Sequence, residues 1–509
     1  MTDSPVIAPH APVGGLEVAT TEDRARPRGG LDGLIVATFG LFGFRVGLQP
    51  IHDNSMFLHL RTGIDMAHTW HVPRSDPYSF TAPHHAWVVE SWFAELTYGI
   101  AYRIGGVHLV VLEQGVLMAV LAMVLATLAR TGSTARTIAA GGVTVFAGAA
   151  LWSQRPLLFG LLGLALLILV VERRWSAWWL LPIGWVWANA HGSFPLGLLW
   201  LGAVYVGSFL DQKRRPAELD RYVVGFVASL VIAVANPLGP RLLFFPLVVQ
   251  SKQKVFANIV EWKSPNFQSA GELFALVFFC LALLILVKHG APWRDVLPVV
   301  GFLALGLISL RNLGPAAVVL APALGRALRP ADRLLTDPAG AQPDTVSSGG
   351  RPSRVLPAVL LVAAAIFVIG SYRGSGLKFS SYPVQAERYL ASHGLLDGRH
   401  IATQDYVGDY RELVEGSSSP SKVFIDDRYD MYPNAVSNDY DILVSGRPQA
   451  VAVLNRWDVD VVMWSRSAAL PDVLRLAGGW RTVYSDTSWQ VLVRDPRVRP
   501  EAPPALPGT

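Results

Sequence analysis

Residues 52–95 hold more ionisable side chains than any comparable stretch of the first 330 residues, most of which are apolar. They carry Asp53, Asp65, Asp76, Glu90, Glu95, Arg61 and Arg74, together with His52, His59, His68, His71, His84 and His85. Ionisable groups gathered beside a membrane-length apolar run point to a site built at a membrane face. Their chemistry is proton transfer and the binding of anions: carboxylates as bases, imidazoles as proton carriers, guanidinium groups as partners for phosphate. A solvated loop is the alternative, and two details favour a site. Asp53 falls just past the apolar run. Residues 56–70 then have helical spacing, with Met56, Leu60, Ile64 and Ala67 on one side and His59 and Arg61 off it. That pattern predicts a helix lying on the membrane surface, which would hold its polar residues in fixed positions.

The elements around this stretch must form a polytopic membrane protein. The chain has 509 residues, 51% hydrophobic and only 16% charged, where a soluble protein would carry about 25% charge. Apolar spans are expected near 31–51, 106–129, 137–152, 157–171, 177–190, 194–210, 220–235, 270–288, 294–310, 314–328 and 354–371. Residues 88–104 are ambiguous, being amphipathic and carrying Glu90, Glu95 and Arg103. If they cross, the basic groups 172–174, 213–215 and 326–333 all fall outside. If they do not, those groups fall inside with Arg130, Arg136, Lys288 and Arg294. Positive charge favours the cytoplasmic side, so 88–104 is read as interfacial or re-entrant and the chain as eleven spans.

The domain reading follows. Residues 1–30 form a disordered cytoplasmic tail. Residues 31–330 form a transmembrane domain with a first outer loop at 52–105. Residues 331–353 form a cytoplasmic linker and 354–371 the last span. Residues 372–509 form a small extracytoplasmic α/β domain, with strands expected at 400–404, 422–426, 459–465, 480–484 and 489–494. Helices are expected there at 382–394 and 467–477. Asp427 and Arg428 stand at the end of the expected strand KVFID, where loops of such sheets often form sites.

Several classes are excluded. The net charge of +5 is accounted for largely by short loops, so it does not imply nucleic acid. The single cysteine, Cys280, excludes disulfides and cysteine metal clusters. There is no P-loop, GxGxxG, HExxH, GxSxG or CxxC. His68 and His71 are three residues apart but have no third ligand near them in sequence.

The runs DNSMFLHLRTG (53–63), VPRSDPYSF (72–80) and WVVESWFAEL (87–96) resemble a group of bacterial multispanning proteins similar to the GT-C superfamily of membrane glycosyltransferases. Further matches are SQRPLLFG (153–160), WANAHGSF (187–194), NPLG (236–239), EWKSP (261–265), RN (311–312) and KVFIDDRYDMY (422–432). The resemblance covers most of residues 31–495. It implies an inverting transferase in a bacterial plasma membrane that moves a sugar from a polyprenyl-phosphate donor to a glycan, lipid or protein acceptor at the outer face. Membrane lipids are its other partners. On that reading Asp53, His59, Glu90, His191 and Glu261 are catalytic candidates, with Asp53 as the base. Arg61, Asp76, Arg155, Arg311, Asp427 and Arg428 are substrate-binding candidates. Such enzymes often carry paired acids where this chain has Asp53-Asn54, so a divalent metal stays open. The rival readings are a lipid-linked glycan transporter and a non-catalytic envelope assembly protein. A transporter would need polar residues through the middle of several spans, and few are present: Arg45, Glu113 and Gln114.

Overall fold

A computed structural model describes residues 29–256, 259–330, 355–372, 374 and 376–495. The expected tail at 1–30, apart from Gly29 and Gly30, lies outside the described residues, as do the expected linker at 331–353 and residues 496–509. The apolar segments form helices: α1 (Gly29–Gly47), α3 (Trp92–Leu128), α4 (Thr134–Ala149), α5 (Leu157–Glu172), α6 (Leu180–Ala190), α7 (Pro195–Gln212) and α8 (Asp220–Ile232). They continue with α11 (Ala270–Lys288), α12 (Trp293–Ile308), α13 (Leu313–Ala327) and α14 (Val355–Ser371). Two of these, α3 and α11, are long and apolar enough by themselves to cross a membrane. The helices bury a common core that includes Leu121, Leu125, Leu164, Trp187, Phe226, Phe302 and Leu320. Their outward faces are also apolar. Val224 and Val231 of α8, Phe274, Leu284 and Val287 of α11, and Val362, Ile366 and Ile369 of α14 are exposed.

The site rests on α2 (Asn54–Thr69) and the start of α3. Asp53 caps α2, its Oδ1 accepting from Ser55 N at 3.1 Å, which satisfies one of the orphan donors of the first turn. Met56, Leu60, Ile64 and Ala67 are buried on one side as expected. Phe57, Leu58, Thr62 and Met66 are buried too. The helix is therefore no surface helix. It is wedged between α3 and α16 (Asp405–Glu415). Gly63 and Gly99 make the α2–α3 contact: a Cβ on Gly63 would lie 2.0 Å from Glu95 O, and one on Gly99 would lie 1.9 Å from Gly63 O. Only glycine allows two backbones this close. The contact fixes His59 and Glu95, each one turn before its glycine. The ambiguous segment 92–104 is set off from the rest of α3 by a kink at Gly105 and Gly106, where Gly106 has φ of 61°.

The C-terminal part holds a four-stranded sheet of order β1-β2-β4-β3, formed by β1 (Ile401–Ala402), β2 (Val461–Ser465), β3 (Trp480–Ser485) and β4 (Trp489–Arg494). β1 runs parallel to β2, and the other pairs are antiparallel. The expected helices are present as α15 (Val384–Ser392) and α19 (Ala469–Ala477), while α16, α17 (Asn434–Val444) and α18 (Ala450–Arg456) were not expected. The expected strand KVFID is not a strand. Val423 makes single bridges to Ser79 and Ile401, because its backbone pairs with the first outer loop: Val423 N donates to Tyr78 O and Phe80 N donates to Val423 O, each at 3.0 Å. That loop and the C-terminal part share their hydrophobic cores. Leu58, Trp87 and Val89 pack with Phe424, Leu454 and Trp464 in one, and Phe57, Tyr98 and Val110 pack with Val407, Val461 and Val491 in the other.

Candidate active site

Where the helix ends meet the C-terminal part there is a cavity of about 1490 Å³. Asp53, His59, Glu90, His191, Glu261, Arg155, Arg311 and Asp427 line it. These residues come from seven separate stretches of chain. His59 lies in the second turn of α2, and the others stand at a helix end or in a connection.

One wall is cationic. Arg155, ahead of α5, pairs with Glu261 and lies 3.6 Å from Asp53 Oδ2. Its Nε also donates to Ser153 Oγ at 2.7 Å. Arg311 stacks on Trp262, its Cζ 4.3 Å from the ring centre. Two backbone-level ties hold this pair of segments together: Leu310 N donates to Lys263 O at 2.9 Å, and Ser309 Oγ donates to Glu261 O at 3.1 Å. Arg155 and Arg311 are both partly buried, and a guanidinium stays charged in such a place. Apolar side chains, among them Phe245, Val249, Phe256, Leu305 and Ile308, continue the same wall toward the helices.

Two histidines on this wall are shifted in opposite directions. His59 Nδ1 lies 2.7 Å from Glu95 Oε1. Burial lowers its pKa, but the bond to Glu95 and the charges of Glu95 and Glu90 outweigh burial, so His59 is raised. His191 is pushed down to about 3 by burial and by the charges of Arg311, His59 and Arg155. Its Nδ1 accepts from Ser193 N at 3.2 Å. The two imidazoles are thus pushed in opposite directions, His59 toward the charged form and His191 toward the neutral one. Glu90 is raised to about 8, mainly by burial and then by Asp430.

The wall that adjoins the cationic one through Ser55, whose Oγ accepts from Arg155 Nη1 at 3.4 Å, is acidic and hydroxyl-rich. Asp427 Oδ2 accepts from Ser55 Oγ at 2.5 Å and from Asn54 Nδ2 at 2.6 Å. Asn54 also donates to Asp409 Oδ2 at 2.8 Å. The second carboxylate beside Asp53 is thus Asp427, held across the interface by the two residues that follow Asp53. Burial and the charge of Asp405 raise Asp427 to about 7. Asp405 accepts from Tyr429 OH at 2.7 Å and from Tyr440 OH at 2.9 Å. Sequence reasoning did not single out Asn54, Ser55 or Asp405. Asn54 and Ser55 sit in the first turn behind a capping aspartate, and Asp405 directly follows a strand-to-helix switch, which are the signals that could have marked them.

Two candidates stand outside the cavity. Arg61 pairs with Asp65 one turn on. Asp76 accepts from Tyr78 N and Ser79 N at 3.0 and 3.1 Å and lies 2.8 Å from Arg428 Nη1. Arg428 borders the cavity, but its guanidinium is 4% exposed and faces Asp76, Asp426 and Glu412 with its plane over Trp87. The charge of each of the three is met by a neighbouring side chain of the fold.

The donor set does not fit a divalent metal. Between Asp53 and Glu261 stands the Arg155 guanidinium, in the place a bridging cation would take. Among the described residues no three His, Cys, Asp or Glu side chains are gathered to hold a metal ion.

No family profile and no curated protein matches the chain. Solved structures similar to it include the archaeal oligosaccharyltransferase AglB of Archaeoglobus fulgidus, in complex with an inhibitory peptide and a dolichol-phosphate. The identity is 12% and the TM-score 0.49, over 92% of this chain and 74% of that one. A second structure from the same organism, complexed with Zn and sulfate, is similar at 12% identity and a TM-score of 0.48, over 91% and 73% of the two chains. ArnT from Cupriavidus metallidurans bound to undecaprenyl phosphate is similar at 13% identity and a TM-score of 0.44, over 91% and 98%. AglB and ArnT are membrane glycosyltransferases of the GT-C superfamily.

Proposed function

We propose that the chain is a membrane glycosyltransferase that transfers a sugar, with inversion, from a polyprenyl-phosphate donor to an acceptor at the outer face of a bacterial plasma membrane. The observation that supports this most is the convergence of Asp53, His59, His191, Glu261, Arg155 and Arg311 on one cavity with a cationic wall that runs on into apolar side chains. A lipid phosphate needs that combination of guanidinium groups for its oxygens and hydrocarbon for its tail. The exposed apolar faces of α8, α11 and α14 are of the kind that lipid covers, and they support eleven spans with 31–330 and 354–371 in the membrane.

In this reading the donor phosphate lies against Arg155 and Arg311. Asp53 takes the proton of the acceptor hydroxyl as its oxygen attacks the anomeric carbon. The bond from that carbon to the phosphate oxygen breaks, and its electron pair leaves on the lipid phosphate. The two guanidinium groups and the His59 imidazolium stabilise that developing charge. His191 orients the donor, and Glu90 and Glu261 hold the shape and charge of the wall. The test is transfer from a polyprenyl-phosphate sugar by the purified chain in lipid nanodiscs. Turnover that vanishes in Asp53→Asn supports the reading, and absence of any sugar release or transfer by the wild-type chain overturns it.

A further inference from the structure

We propose that the cavity wall formed by Asp405, Ser437 and Tyr440 is a subsite for an uncharged, hydroxyl-rich glycan, which is the acceptor; this rests on the transferase reading above. The wall is built by α16 and α17. Its first mark is Ser437. This side chain is 7% exposed and lines the cavity, and its Oγ has no hydrogen-bond partner among the described residues. A buried hydroxyl left unpaired is destabilising, so a site that keeps one is built to receive a partner.

The second mark is how the carboxylates are used. Asp405 already holds the hydroxyls of Tyr429 and Tyr440, and Asp427 holds the Ser55 hydroxyl and the Asn54 amide. These are neutral donors, and the remaining oxygen lone pairs suit the same partners. An anion would meet several carboxylates here. Nearby, Lys252 Nζ is taken by backbone carbonyls, donating to Asp430 O at 2.5 Å and to Tyr432 O at 2.7 Å. Burial raises Asp427 to about 7 and Asp430 to about 6, which disfavours the charged form of these two acids. Hydroxyl groups bridging Ser437 Oγ and Asp405, with sugar CH faces against Tyr440 or Tyr406, use every group present. Such a ligand would also bring a hydroxyl toward Asp53.

The experiment reads binding without turnover. Maltotetraose, mannotetraose and galactotetraose are titrated calorimetrically into the full chain in nanodiscs, with tetragalacturonate, a lysine-rich peptide and anionic phospholipid vesicles as competing classes. At least one neutral tetrasaccharide is expected to bind at millimolar concentration. Ser437→Ala should weaken it about 3–10-fold and Asp405→Asn about tenfold, with Ser75→Ala, exposed and outside the cavity lining, binding as wild type. Asp405 also holds two tyrosines, so Ser437→Ala, which removes one atom, is the deciding variant if Asp405→Asn folds poorly. No binding of any neutral tetrasaccharide, preference for one of the other classes, or indifference to Ser437→Ala overturns the subsite. A failure of the transferase reading shows separately, as absence of sugar release from donor in the acceptor-free assay.

Discussion

Asp53 and Arg155 face each other at 3.6 Å, although one closes the connection after α1 and the other opens α5. The contact ties the cap of α2 to the cationic wall. It also gives Asp53 two separable tasks: Oδ1 holds Ser55 N, and Oδ2 faces the guanidinium and the cavity.

That separation makes Asp53→Asn a clean test. Asparagine caps a helix about as well as aspartate, so α2 should keep its stability. The charge that takes the acceptor proton is lost, and turnover should fall about 10²–10⁴-fold. Asp53→Ala removes the cap as well and should cost about 1 kcal/mol of stability. Thermal melting and transfer rates measured on the same preparations check both. Near-normal turnover in a stable Asp53→Asn removes the residue from the mechanism.

Arg155 bridges Asp53 and Glu261 and is expected to bind the donor phosphate. A lysine there keeps the charge but loses the fork that reaches two carboxylates and two phosphate oxygens at once. Arg155→Lys should raise the donor KM about tenfold or more with a smaller change in kcat. Because the guanidinium stands where a bridging cation would, dialysis of the wild-type chain against EDTA should leave transfer unchanged. A loss restored by added divalent metal would show that this reading of the Asp53–Glu261 gap is wrong.

The candidate site was only partly legible in the sequence. Asp53, His59, Arg155, His191, Glu261 and Arg311 stood out because each is a polar residue at the end of an apolar run. A membrane protein has few reasons to place them there. Arg61 and Asp76 stood out equally, yet their charges are used locally: Arg61 by Asp65 on the same helix face, Asp76 by its own turn and by Arg428. Residue type alone does not separate these uses. The helices α16 and α17 were missed because their buried positions are themselves polar. Asp409, Arg411 and Glu412 point inward on α16, so the segment lacks the apolar stripe that marks a helix. Most of the apolar helices were easier to read, because their runs are bounded by Pro, Gly and basic residues, while 88–104 stayed ambiguous and proved to open α3.

The activity should depend on pH through His59. Its pKa is raised in the folded chain, because Glu95 outweighs the burial that lowers it. A raised pKa keeps the imidazolium to higher pH than an ordinary histidine would and loses it as pH rises through that value. The alkaline limb of kcat/KM should therefore fall with His59. Glu95→Gln removes the charge that sustains the shift and should move the limb to lower pH. His59→Asn should abolish it. A limb that stays in place in Glu95→Gln assigns it to another group.

Arg428 should prove structural. It is buried among Asp76, Asp426 and Glu412, and removing one member of such a buried set costs about 3–5 kcal/mol because the others stay uncompensated. Arg428→Met should melt earlier or fail to accumulate, while the variant that does fold keeps a near-normal donor KM. Stable protein with a large rise in donor KM would return Arg428 to the binding site.

The membrane topology can be tested at two exposed positions. Tyr78 and Phe80 pair with Val423, Thr81 Oγ1 donates to Phe424 O at 2.6 Å and Lys422 Nζ donates to Pro77 O at 2.9 Å. The first loop and the C-terminal part fold as one body and must lie on the same side of the membrane. The side follows from the opposite ends of the helices, where Arg130, Arg136, Arg173, Arg174, Lys213, Arg214, Arg215, Lys288 and Arg294 collect. Positive charge in short loops favours the cytoplasmic side, so this body is expected outside. Ser75 and Asn434 are both exposed on it. With Cys280 replaced by serine, Ser75→Cys and Asn434→Cys should both react with an impermeant maleimide in intact cells. Labelling of both only after permeabilisation would invert the topology and put the cavity at the cytoplasmic face. Labelling of one and not the other would contradict the shared core itself, because no membrane could pass between two strands of chain held 3.0 Å apart.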